Sequence, residues 1–181
     1  MVDPEQTPGL RGSSRPQVKL LVAFCDKYLL LQRAKEPHAG QWEFPGGKLT
    51  PEEHQQFKDA ELGGQHHTAT IYLQLAAYRA LERETGLTNA DAAIDMVLGA
   101  VNRRDEELTH LLLAPTTSQD ITLAIETHKA ALWIQRRDLL SLPVPYECVG
   151  ADGEPRSGVL GPMDVLYYER FVGFIRSKLG R

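Results

Sequence analysis

The chain is poor in cysteine, has no long apolar run and carries no excess of positive charge. Two cysteines, Cys25 and Cys148, in 181 residues are too few and too far apart for a disulfide framework or a cysteine-built zinc site. Cys25 stands in an apolar run and is expected to be a buried thiol, which suits a reducing, cytoplasmic setting. No apolar stretch approaches the roughly 20 residues that span a bilayer, and the N-terminus lacks the apolar segment of a signal peptide. With 20 Lys and Arg against 24 Asp and Glu, the formal net charge is −4. A broad nucleic-acid surface is therefore not expected. Also missing are a nucleophile elbow, a Gly-Lys-Ser/Thr phosphate loop, a paired-cysteine motif and any internal repeat, which removes several enzyme classes.

What is present reads as one globular domain behind a tail. Residues 1–16, rich in Pro, Ser and Gly, read as a disordered tail, and residues 17–181 as the domain. Residues 17–25 and 28–32 read as the two strands of a hairpin, and 41–44 as a short strand stopped by Pro45 and a Gly46-Gly47 turn. Thr50, Pro51 and Glu53 form a capping-box signature that starts a helix running to about Leu62. Residues 65–68 read as polar loop. A longer helix is expected over 69–85, ended by Gly86. Residues 96–103 and 108–115 read as strands joined by a charged turn containing Glu107. A further strand is expected at 131–135 and a weaker one at 121–125. A short helix is expected at 137–141, a long loop at 144–161 and a final helix at 163–178. This order is that of a mixed sheet with helices on its faces.

Two segments carry the chemistry: Trp42-Glu43-Phe44-Pro45-Gly46-Gly47-Lys48, and Ala76-Ala77-Tyr78-Arg79-Ala80-Leu81-Glu82-Arg83-Glu84-Thr85-Gly86-Leu87. Together they resemble the Nudix box, the loop-helix-loop of enzymes that cut diphosphates linked to another moiety. Gly47 and Glu53 match its first half, and Arg79, Leu81, Glu84, Gly86 and Leu87 its second. The resemblance implies an α/β fold, a Nudix-like three-layer α/β/α sandwich with a mixed sheet. It also implies a pyrophosphohydrolase of nucleoside diphosphates linked to another group, using Mg²⁺ or Mn²⁺. Carried over by position, Glu84 and Glu53 become metal ligands and catalytic residues. Glu126, ahead of the Trp133 strand, becomes a further catalytic candidate. Gly46, Gly47, Lys48, Arg79 and Arg83 become contacts to a nucleotide-like diphosphate.

The chain departs from the pattern in three places. Between Glu53 and Arg79 lie 25 residues where the family has seven, an insertion of 18. Ala80 and Arg83 stand where the family has glutamates. At about 100° per residue, positions 77, 80 and 84 share one helical stripe. Here that stripe reads Ala77, Ala80, Glu84, with a single carboxylate. Glu82 lies on the opposite side and cannot replace it. Arg83 would instead place a fixed positive charge near the metal position, where its fork could hold a phosphate. A Nudix fold that has lost catalysis, and binds a nucleotide-like ligand or a protein partner, is the alternative to the hydrolase.

Other residues divide between two readings. Glu53 serves equally as a helix cap or as a partner of Arg79 beside the metals. His128 could stand near the site but reads first as an exposed loop residue, His66-His67 as an adjacent pair with no shared face, and Trp42, Trp133 and Tyr28 as core or strand-face residues rather than a base-stacking platform. Neither the specific substrate nor the oligomeric state is legible in the sequence.

Overall fold

The computed structural model describes residues 15–36, 39–94, 96–102, 108–141, 146–149, 155–158 and 162–179. Most of the tail expected at 1–16, and the turn containing Glu107, lie outside the described residues.

Strands β1 (Gln17–Phe24) and β2 (Lys27–Arg33) form the expected hairpin. Its two-residue turn needs a positive φ, and Cys25 supplies it at 50°. A turn tip points away from the sheet, so Cys25 is exposed rather than the buried thiol its apolar neighbours suggested.

Five more strands complete the main sheet: β3 (Trp42–Glu43), β4 (Gly46–Lys48), β5 (Met96–Asn102), β6 (Leu108–Pro115) and β7 (His128–Gln135). The order is β3-β2-β1-β6-β5, with β4 also on β1 and β7 on β2. β1 and β6 run parallel and the other pairs antiparallel, which gives the mixed sheet. Residues 46–48 are thus a short strand rather than a plain turn.

Central β1 is apolar along most of its length because both its faces are covered. Val18, Leu20 and Val22 face α1 (Pro51–Leu62) and α2 (His66–Thr85), meeting Phe57, Leu73, Ala77 and Leu81. Leu21, with Leu30, Trp42 and Phe44, faces the other layer, α3 (Arg136–Ser141) and α4 (Pro162–Leu179), through Leu139, Tyr167, Phe171 and Ile175. Trp42 and Tyr28 are buried and Trp133 is half-buried, as expected of core residues. No helix among the described residues is long and apolar enough to cross a membrane.

Three local expectations are corrected. Helix α2 begins at His66, so residues 66–68 are helical, and His66 and His67 are exposed in its first turn. Gly63 and Gly64, the latter at φ 69°, break the two helices apart on their own, and no longer polar loop is needed. Residues 121–125 form no strand. Their amides serve the end of α2 instead: Thr122 N donates to Thr85 O at 2.7 Å and Ala124 N to Glu84 O at 3.1 Å. These are carbonyls that a helix terminus cannot satisfy internally. The expected loop at 144–161 contains an antiparallel pair, β8 (Tyr146–Val149) and β9 (Pro155–Gly158).

Candidate functional site

The site is assembled where β4 pairs antiparallel with the start of β1. Gly46 is required there by proximity, since a Cβ on it would stand 2.2 Å from the Val18 carbonyl oxygen. Gly47 packs on helix α2, where a Cβ would lie 3.2 Å from the Ala80 Cβ. Neither glycine has a positive φ among the described backbone, so close approach rather than left-handed geometry selects them. Helix α2 brings its last turn under this bend. The stripe Ala77, Ala80, Glu84 is buried as its periodicity predicts.

Glu84 is 6% exposed and aims at the bend. Its Oε2 accepts the Gly46 amide at 3.0 Å and its Oε1 accepts Arg83 Nη2 at 2.9 Å. It lines a cavity of about 240 Å³ together with Gly46, Gly47, Gln17, Lys19, Arg33, Lys35, Glu43, Thr127 and His128.

A second carboxylate, Glu43, not singled out as a candidate from the sequence, lines the same cavity. Lys19 Nζ donates to its Oε2 at 3.0 Å and Arg33 Nη1 at 3.3 Å. His128 Nε2 lies 3.1 Å from its Oε1 and, opposite an ionised carboxylate, carries the donated proton. Burial alone would push this carboxyl up. The His128 hydrogen bond and the charges of Lys19 and Arg33 outweigh burial and hold its pKa at about 2. His128 is therefore no exposed loop residue: it is 3% exposed and opens β7, with Nδ1 3.0 Å from Thr127 Oγ1. A signal for the cluster did exist. Lys19 is a lone lysine inside an apolar strand, and a buried ammonium needs a carboxylate.

The remaining predicted residues sit around this centre. Glu53 both caps α1 and pairs with Arg79. Its Oε2 accepts Thr50 N at 2.7 Å and Arg79 Nη2 at 2.8 Å, and its Oε1 accepts Arg79 Nη1. Burial raises the Glu53 pKa, but the hydrogen bonds from Arg79 and Thr50 prevail and lower it. Arg79 Nη2 also reaches the Lys48 carbonyl at 3.1 Å. Lys48 is exposed, and neither it nor Arg79, Arg83 or Glu53 lines the cavity, although Arg83 reaches its edge through Gly47 and Glu84. Glu126 is exposed in the turn before β7; its neighbours Thr127 and His128 line the cavity and it does not.

These residues do not fit a carboxylate-built divalent-metal site. Hard cations need several oxygen ligands gathered at one point, and a guanidinium already paired with the ligand opposes a second cation there. The Glu84 oxygens accept an arginine and a backbone amide, Glu53 is held by Arg79 and Thr50, and Ala80 offers no oxygen. Among the described residues no group of three or more His, Cys, Asp or Glu could hold a metal ion.

Seen whole, the architecture is the Nudix fold. The MutT protein of Methanosarcina mazei Go1 is similar, with TM-score 0.58 and 20% identity over 90% of this chain and 94% of that one. So is an Ap4A hydrolase of C. elegans (TM-score 0.53, 19% identity, 89% and 98% covered). The Nudix domain of Shewanella oneidensis NrtR, solved in complex with ADP ribose, gives TM-score 0.54 and 16% identity over 94% of each chain. No family model matches the sequence. No curated protein matches it either.

Proposed function

We propose that this chain binds a nucleotide-like diphosphate in the cavity at the glycine bend. One observation carries the reading: the single box carboxylate at the bend is ion-paired to an arginine that stands where the pattern has a glutamate. That pairing turns the end of α2 from a cation trap into a surface that tolerates anions. Lys19, Arg33 and Lys35 line the same cavity, with Glu43 fixing the first two in place. A likeness to a Nudix domain complexed with ADP ribose supports the ligand class. The test is calorimetric titration with ADP, ADP-ribose and diadenosine tetraphosphate. Saturable binding that Glu43→Gln weakens supports the reading, and absence of binding across the panel refutes it.

A metal-dependent pyrophosphohydrolase is the second reading. What favours it is Glu84 itself, buried, at the foot of the long helix and facing the bend. In this reading Mg²⁺ or Mn²⁺ would arrive with the substrate phosphates rather than wait in a protein-built cluster. Product release from the same panel with either metal, abolished in Glu84→Gln, would establish it. A cytoplasmic setting belongs to either reading.

A further inference from the structure

We propose that Arg83 is a resident counter-cation for phosphate, so that this chain holds a diphosphate without a divalent ion. The proposal rests on the binding reading above and specifies how that site recognises charge.

Helix geometry is the first argument. Residues i and i+1 point about 100° apart and do not face each other on a helix. Yet Arg83 Nη2 lies 2.9 Å from Glu84 Oε1. The two side chains can meet only by converging on a common point, and that point is the glycine bend. The same Nη2 stands 3.5 Å from where a Cβ of Gly47 would be. The guanidinium is thus held over the bend by Glu84, whose other oxygen is fixed by the Gly46 amide.

Exposure is the second argument. The Arg83 side chain is 58% exposed while Glu84 is nearly buried, so much of the planar fork faces water beside Gly47, one of the residues that line the cavity. A guanidinium has five N–H donors in a fixed plane that matches phosphate oxygens. The Glu84 charge is already compensated, so an incoming phosphate does not meet a bare carboxylate.

Ala80 supplies the third. It is 2% exposed and packs against Gly47, so the bend meets a methyl where the pattern has a carboxylate. The three changes fit together: one carboxylate is absent, one is replaced by a cation, and the last is neutralised by that cation. A plain last-turn arginine that only favours the helix C-terminus would not need Glu84 or the bend.

The experiment measures binding of inorganic pyrophosphate and ADP-ribose by calorimetry, in EDTA and in Mg²⁺, for wild type, Arg83→Gln and Arg83→Glu. Binding of Mn²⁺ alone is followed by electron paramagnetic resonance. Wild type is expected to bind the phosphates about equally well in both buffers. Arg83→Gln is expected to weaken binding in EDTA about tenfold or more, the loss of a charge-assisted contact, and a cooperative melting transition shows that the variant folds. Arg83→Glu should lose phosphate binding in EDTA and acquire Mn²⁺ binding that wild type lacks. Binding by wild type only when Mg²⁺ is present would overturn the resident-cation proposal and leave the binding reading standing. Wild-type affinity in Arg83→Gln would do the same. No binding to either phosphate in either buffer would overturn both.

Discussion

Glu53 and Arg79 are joined by two parallel hydrogen bonds while the same carboxylate closes the capping box on Thr50. The two readings of Glu53 are therefore not rivals. A residue that starts α1 also fastens α1 to α2 across 25 intervening residues. Glu53→Ala should cost about 2 kcal/mol, combining a lost cap with a part-exposed ion pair. Arg79→Ala should cost less, because the cap survives. A double-mutant cycle in urea measures the coupling, and additive effects would contradict the shared role.

Glu43 makes acid stability predictable. Its folded pKa is about 2 against an ordinary 4.5. The folded state binds the proton more weakly, so the stabilisation is fully present above pH 4.5 and is lost as pH falls towards 2. The shift corresponds to a contribution of order 3 kcal/mol. Glu43→Gln should lose about this much at pH 7, leaving Lys19 buried without its anion. Its stability should then vary less than that of wild type between pH 4.5 and 2. Denaturant midpoints across that range check both statements.

His110 should destabilise the fold on mild acidification. It is buried against Phe57, and its Nε2 has no hydrogen-bond partner among the described residues. Burial lowers its pKa, opposed by the nearby Glu61 charge. The unfolded chain therefore takes up the proton first. Stability should be full above about pH 6.5 and fall as pH drops below it. His110→Leu should remove this decline and gain about 1 kcal/mol by deleting an unsatisfied polar atom.

Gly46 and Gly47 should respond unequally to alanine. At Gly46 the new methyl meets backbone, the Val18 oxygen at 2.2 Å. The strand must shift, costing about 1–3 kcal/mol or more. At Gly47 it meets the Ala80 methyl at 3.2 Å, which a small adjustment relieves. Thermal melts that rank Gly47→Ala as the worse variant would refute the close approach of Gly46 to β1.

Local physics carried most of the fold into the sequence. Thr50, Pro51 and Glu53 announced α1, Gly86 ended α2 at φ 72°, and the apolar run of β1 announced a covered central strand. The pairing of Ala77, Ala80 and Glu84 on one buried stripe followed from helical periodicity alone. What stayed hidden depends on long-range partners. Ile121 and Leu123 alternate like strand residues, but the amides of Thr122 and Ala124 are drawn to the open end of α2. His128 is polar and follows Thr127, which reads as a surface turn until Glu43, 85 positions earlier, is placed beside it. Glu43 was in view inside a recognised motif, and only Lys19, Arg33 and His128 together reveal its role.

The segment that ends α2 also has a mechanical consequence. Its Ala124 amide grips the Glu84 carbonyl, and four residues later His128 grips the Glu43 side chain. One short stretch of chain thus contacts both acidic residues that line the cavity. Displacing this strip of chain would therefore loosen the backbone under one acid and the side chain of the other together.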